Sequence, residues 1–169
     1  MQIRRSNTDD FESILNVIND AANAYRGVIP VDRWHEPYMS KPSLAAEIES
    51  DVNFWLAEED DKVLGVMGIQ SRAGVALIRH AYVITASQGI GTGKQLLHHV
   101  IGQTSKRLLV GTWAAASWAI RFYQRNGFIL LSENEKNRAL RKYWDVPERQ
   151  IETSVVLEYK ADASIDKIT

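Results

Sequence analysis

Apolar residues in this chain recur every three or four positions in some stretches and every second position in others, and that alternation predicts its elements. Residues 2–5 read as a short strand. Phe11, Ile14, Leu15, Ile18, Ala21 and Ala22 fall on one helical face, so a first helix runs from Thr8 or Asp9, both suitable N-caps, to about Ala24. Tyr25 to Ser40 holds two prolines and a glycine and is expected to be irregular, with one helical turn near Asp32. Ser43 reads as the cap of a second helix ending near Asp51, with Glu47 placed where N-terminal carboxylates are favoured.

Asn53–Glu58 and Lys62–Ser71 form two strand candidates around the polar turn Glu59-Asp60-Asp61, and Val75–Ile84 forms a third. A helix over Gly91–Gln103, a strand over Arg107–Thr112 and a helix over Ala115–Asn126 follow. That last helix buries Trp118, Ala119, Phe122 and Tyr123, with Gly127 at its C-cap. Phe128–Ser132 reads as a strand, Glu133–Arg149 as a surface excursion with a helical piece, and Ile151–Tyr159 as a last strand. The tail after Lys160 is expected to fray. No repeat or linker divides the chain, which predicts one domain over 1–169, its core over about 1–160. The element order predicts an α/β (α+β) layer fold, a mixed sheet covered by helices.

Composition narrows the function classes. The 169 residues are 45% hydrophobic, enough for one sizeable core. Twenty basic and 21 acidic residues leave a net charge of −1, and no basic stretch interleaves with aromatics, so a nucleic-acid partner is not expected. The absence of cysteine removes disulfides, thiolate metal sites and a cysteine nucleophile. No apolar run approaches membrane-spanning length and no signal core opens the chain, so a soluble, cytoplasmic protein is expected, with no membrane partner.

The chemistry concentrates after the third strand candidate. Gln88-Gly89-Ile90-Gly91-Thr92-Gly93-Lys94 is a glycine-rich turn opening a helix, where unpaired backbone N–H groups and the helix dipole favour an anion such as a phosphate. A Walker A loop would need glycine at Gln88 and a hydroxyl residue at Gln95. A dinucleotide fingerprint would need its third glycine at Lys94 or Leu96. What remains is Gln88-x-x-Gly91-x-Gly93. The plain alternative is a tight turn without a ligand.

That pattern resembles the pyrophosphate loop of the GCN5-related N-acetyltransferases (GNAT). Ala119-x-x-Phe122-Tyr123-x-x-x-Gly127-Phe128 and the strand segment leading into Tyr82-Val83 are similar to two further segments of the same family, in the same order. The resemblance implies a mostly antiparallel sheet of six to seven strands, about four flanking helices, and central strands that splay apart. It implies acetyl-CoA as co-substrate without a metal, its pantetheine pairing with the backbone near Tyr82 and Val83. Its pyrophosphate would rest on the amides of Gln88, Gly89, Ile90, Gly91, Thr92, Gly93 and Lys94, with Thr92 adding a hydroxyl. Tyr123 maps onto the residue that protonates the departing thiolate in many relatives; its plain alternative is helix packing. The family often has proline where Thr85 stands and a cofactor-bonding asparagine where Ala116 stands.

A base must deprotonate the acceptor amine. His80 on the strand before the loop is a candidate, the alternative being a histidine satisfied by the fold. His35 and Glu36 are rivals, and His98 and His99 read as flank residues of the helix after the loop. Strict strand alternation would set Leu77, Arg79, Ala81 and Val83 on one face and Ile78, His80 and Tyr82 on the other. Tyr25, Trp34, Glu36 and Tyr38 would line an amine pocket through cation–π and ion-pair contacts, unless they form a satellite cluster, and Trp113 is a further candidate. The expected function is acetyl transfer to a primary amine, of a small molecule or a peptide, by direct attack in a ternary complex. The alternative is a non-catalytic acyl-CoA sensor. An exposed strand edge would allow a homodimer.

Overall fold

A computed structural model describes residues 1–161, and the tail expected to fray lies largely outside them. Seven strands form one sheet in the order β1-β2-β3-β4-β5-β7-β6: Gln2–Arg5, Asn53–Glu59, Lys62–Arg72, Val75–Val83, Arg107–Trp113, Ser154–Tyr159 and Phe128–Leu130 for β1, β2, β3, β4, β5, β7 and β6. All pairings are antiparallel except β4 with β5. Six α-helices accompany the sheet, two more than expected: α1 Phe11–Ala21, α2 Lys41–Glu49, α3 Thr92–Ile101, α4 Ser117–Arg125, α5 Glu133–Tyr143 and α6 Glu148–Glu152. Among the described residues no helix is long and apolar enough to cross a membrane.

Leu96, Leu97 and Val100 of α3 and Tyr123 of α4 pack on one sheet face with Ala76, Ile78, Leu108 and Val110. On the other face α1 and α2 bury Ile14, Ile18 and Leu44 against Phe54, Leu56 and Val66. Beside them α5 lays Ala139, Leu140 and Tyr143 on Leu77, Leu109 and Val156. The two faces sandwich the sheet, so apolar burial holds every strand in register.

Several boundaries differ from the sequence reading. Asn7, not Thr8 or Asp9, caps the first helical stretch, accepting from the Asp9 amide and sharing a capping box with Asp10. Ser40 rather than Ser43 caps α2. Its Oγ accepts from the Ser43 amide, and Pro42 sits in the first turn, where it loses no hydrogen bond. The stretch from Glu133 is no mere surface excursion. Ser132 and Glu135 form a capping box, and Lys136 is buried with its Nζ on the Ile151 carbonyl. Trp118 is 39% exposed rather than buried.

Two irregularities prepare a site. The β4–β5 pairing runs only from Val75–Arg107 to Ile78–Val110; beyond it the strands part, as β5 continues to pair with β7 through Trp113. On its other edge β4 bulges: Val66 pairs with Tyr82 and Gly68 with Arg79, so Met67 faces both His80 and Ala81. His80 adopts φ +53°, a left-handed conformation uncommon for a residue with a Cβ.

Candidate active site

The bulge overturns the strict alternation read from the sequence. Ile78 and Ala81 both join the α3 face. Arg79, His80 and Tyr82 turn to the α1–α2 face, where Tyr82 packs in the helical cluster and both Arg79 and His80 reach Glu47 of α2. An inserted residue shifts the parity of everything after it, which no periodicity argument detects.

Two cavities flank the gap between β4 and β5. The first, about 420 Å³, is lined by Val83, Gln88, Gly89, Gly91, Thr92, Gly93 and Lys94 together with Trp118 and Phe122. Gly91 takes φ +92° at the N-cap of α3 with no side-chain cap, so the first amides of the helix are left for a ligand. Gly89, at φ +80°, has open space where a Cβ would stand. Thr92 is buried, and its Oγ1 has no hydrogen-bond partner. A buried hydroxyl without a partner beside open helical amides fits a phosphate. Gln88 directs its Nε2 to the Val83 carbonyl at 3.2 Å, and Ile90 is 68% exposed with its side chain outside the cavity lining.

Thr85 donates its amide to Asp20 Oδ2 at 2.7 Å, tying the turn to α1 through a bond that proline could not make. Ala116 is fully buried at the start of α4, with no side-chain cap on the helix. His98 lies on Asn126 and His99 stacks at 4.3 Å on Trp55, both away from the cavities.

The second cavity, about 170 Å³, lies on the opposite face. Its lining includes Tyr38, Arg79, His80, Thr112, Trp113 and Trp144. Tyr25, Ala81, Tyr82 and Tyr123 border both cavities. Tyr82 Oη donates to Tyr38 Oη at 3.2 Å, and Tyr25 packs edge-on against Tyr82 and tilted on Trp118. Burial pushes the Tyr25 phenol up to about 12, the neighbouring Tyr38 adding to the effect. Burial raises Tyr82 and Tyr123 as well, so all three stay protonated at neutral pH.

His80 Nε2 lies 2.9 Å from Glu47 Oε2, and Arg79 reaches the same oxygen at 3.0 Å and Gln70 Oε1 at 2.8 Å. Burial alone would raise the Glu47 carboxyl; the His80 hydrogen bond and the Arg79 charge instead hold it below the usual carboxylate range. His80 is therefore tied into the fold through Glu47 and also lines the cavity.

Of the four residues expected to hold the acceptor, Tyr25 and Tyr38 line this cavity and Trp34 and Glu36 do not. Trp34 stacks on Tyr38 at 5.8 Å and donates its Nε1 to Glu36, whose carboxylate pairs with Arg26 at 2.6 Å on the surface. His35 is exposed as well. Residues that sequence reasoning missed come from the far end of the chain: Leu140, Trp144, Val146, Gln150 and Ser154. The Ser132-x-x-Glu135 box ahead of Ala139, Leu140 and Tyr143 was the available signal for α5. Among the described residues no group of three or more His, Asp or Glu side chains gathers to hold a metal ion.

A family model described as an acetyltransferase (GNAT) domain matches residues 17–142. Among solved structures, an acetyltransferase of the GNAT family from Staphylococcus aureus Mu50 is 20% identical, with a TM-score of 0.69 over 94% of this chain and 97% of that one. PaiA N-acetyltransferase from Thermoplasma acidophilum, in complex with coenzyme A, is 20% identical, with a TM-score of 0.70 over 95% and 98%. The ribosomal-protein-S18-alanine N-acetyltransferase from Escherichia coli is 15% identical, with a TM-score of 0.65 over 97% of both. No curated protein matches the chain.

Proposed function

The chain belongs to the acetyltransferase (GNAT) family, and from that premise we propose that it transfers an acetyl group from acetyl-CoA to a primary amine by direct attack in a ternary complex. One observation carries this reading: the cavity against the glycine turn and the cavity on the opposite face share Tyr25, Ala81, Tyr82 and Tyr123 where β4 leaves β5. A donor on one side and an acceptor on the other would meet there.

The amides of Gln88 to Lys94 and the Thr92 hydroxyl would hold the pyrophosphate, and the backbone edge of Tyr82 and Val83, which β5 leaves unpaired, would take the pantetheine arm. When bound, acetyl-CoA supplies a thioester carbonyl as electrophile and a thiolate as leaving group. His80, its ring oriented by Glu47, takes a proton from the acceptor ammonium. The freed nitrogen forms the C–N bond as the C–S bond breaks, and Tyr123 gives its phenolic proton to the departing sulfur. The nitrogen's second proton leaves as the amide forms and restores the Tyr123 phenol, so the one net proton is the one His80 took and releases to solvent. A chain without cysteine has no thiol to carry the acyl group, in keeping with direct transfer.

Release of free CoA thiol from acetyl-CoA, followed with a panel of primary amines, tests the proposal. Amine-dependent release is expected. Acetyl-CoA binding without release by any amine would instead mark an acyl-CoA sensor, and failure to bind acetyl-CoA would overturn both.

A further inference from the structure

Among the described residues two buried side-chain polar atoms lack a hydrogen-bond partner. One is Thr92 Oγ1 at the glycine turn. The other is Arg33 Nε, on the short helical turn Val31–Arg33. Arg33 Nη2 reaches Gln150 Oε1 at 3.5 Å, the outer limit of a hydrogen bond, and Gln150 lines the acceptor-side cavity. Its acidic neighbours in sequence are engaged elsewhere: Asp32 with Arg149 at 3.3 Å and Glu36 with Arg26 at 2.6 Å. A guanidinium with one buried N–H unmet and no carboxylate opposite is an incomplete pair.

The cavity is short of negative charge in the same sense. Among the described residues no Asp or Glu lines it, whereas Arg79 and His80 do. Burial lowers the Arg79 guanidinium below its ordinary value in spite of Glu47, and the neighbouring Arg72 charge acts in the same direction. Trp113, Leu140, Trp144 and Val146 add apolar surface to a wall that also carries Thr112, Gln150 and Ser154. A polyamine would find no counter-charge here, and a volume of about 170 Å³ suits a small molecule.

We infer that the acceptor bears its own carboxylate beside the amine, as an amino acid of modest size with an apolar side chain does, and that Arg33 receives that carboxylate. The inference rests on the acetyl-transfer reading of this cavity. The carboxylate takes the place of the Gln150 amide oxygen on Arg33, two oxygens meeting the N–H groups that Gln150 serves poorly. The amine beside it then lies within the cavity that His80 and Tyr123 border.

Matched pairs test this: L-leucine against 3-methylbutylamine, and L-phenylalanine against 2-phenylethylamine, each pair differing by the carboxylate alone. CoA release is measured with the native protein and with Arg33→Gln, a substitution on an irregular surface segment. The amino acid of a pair should be favoured about tenfold or more in kcat/KM, as one charged hydrogen-bonded pair warrants. Arg33→Gln should raise KM for the amino acid by a similar factor, leave kcat within about twofold, and leave the decarboxylated amine unchanged. Equal or better use of the decarboxylated amines, or an Arg33→Gln variant that slows both members alike, would overturn the assignment. If no amine releases CoA, the transfer reading fails separately. Calorimetric titration of the same pairs into CoA-loaded protein then decides: binding of the amino acid alone supports the carboxylate site, and binding of neither refutes it.

Discussion

His80 on β4 and Glu47 on α2 meet in a 2.9 Å hydrogen bond across 33 residues of sequence, and the bulge that gives His80 its φ of +53° makes the meeting possible. Without the extra residue the imidazole would point to the α3 face, away from α2 and the acceptor-side cavity. Glu47 also holds Arg79, so one carboxylate braces two adjacent side chains at the wall of the cavity.

That bond has a pH signature. The Glu47 carboxyl is depressed below its ordinary value of 4.5 by His80 and Arg79 against the opposing effect of burial. A depressed carboxyl stabilises the fold above its unfolded value, and the contribution fades as pH falls through the lower folded value. Glu47→Gln should cost about 1.5–3 kcal/mol at neutral pH and flatten the acid limb of stability below about pH 4.5. Denaturant titrations at several pH values would show it; an unchanged acid limb would remove Glu47 from the account.

Tyr123 tests the chemistry. It is 6% exposed and borders both cavities, and its raised pKa keeps the phenol protonated. Tyr123→Phe should lower kcat about 100-fold or more while acetyl-CoA binding, by calorimetry, changes little. Retained turnover with an unaltered pH profile would reassign the proton donor.

At Thr92 affinity and stability should move in opposite directions. Its buried hydroxyl has no partner among the described residues, so Thr92→Val should leave the melting temperature unchanged or raise it. The same change should weaken CoA binding by about tenfold, the worth of one hydrogen bond to a charged group. Undiminished affinity would show that the hydroxyl does not meet the pyrophosphate.

Gly68 supports the bulge from the facing strand. A Cβ there would stand 2.7 Å from both the Arg79 carbonyl and Val52 Cγ1, too close for either to stay in place. Gly68→Ala should destabilise the fold by about 1–3 kcal/mol and reduce turnover as well, because Arg79 adjoins His80. A variant of native stability and activity would show that the strand absorbs the methyl without moving the site.

The glycine turn was legible in the chain. Gly89, Gly91 and Gly93 around Thr92 announce a turn with open backbone amides, and backbone conformation is written locally. The second cavity was legible only in part. Tyr25 and Tyr38, aromatics that stand out in an irregular segment, line it, whereas Trp34 and Glu36 looked equivalent yet lie outside it, paired with each other and with Arg26. Trp144, Val146 and Gln150 gave no local sign, since the wall they make depends on where α5 and α6 dock.

The sequence by itself determined most of the order of strands and helices, the glycine turn and the family, because periodicity, capping and glycine spacing act over a few residues. Tertiary structure alone decided which face His80 serves, that Glu47 is its partner, and that Arg33 is left without a carboxylate. Those outcomes depend on a one-residue bulge in β4 and on the docking of segments more than 100 residues apart, Arg33 against Gln150 being separated by 117. No local pattern encodes a contact that exists only once the sheet has assembled and its strands have parted.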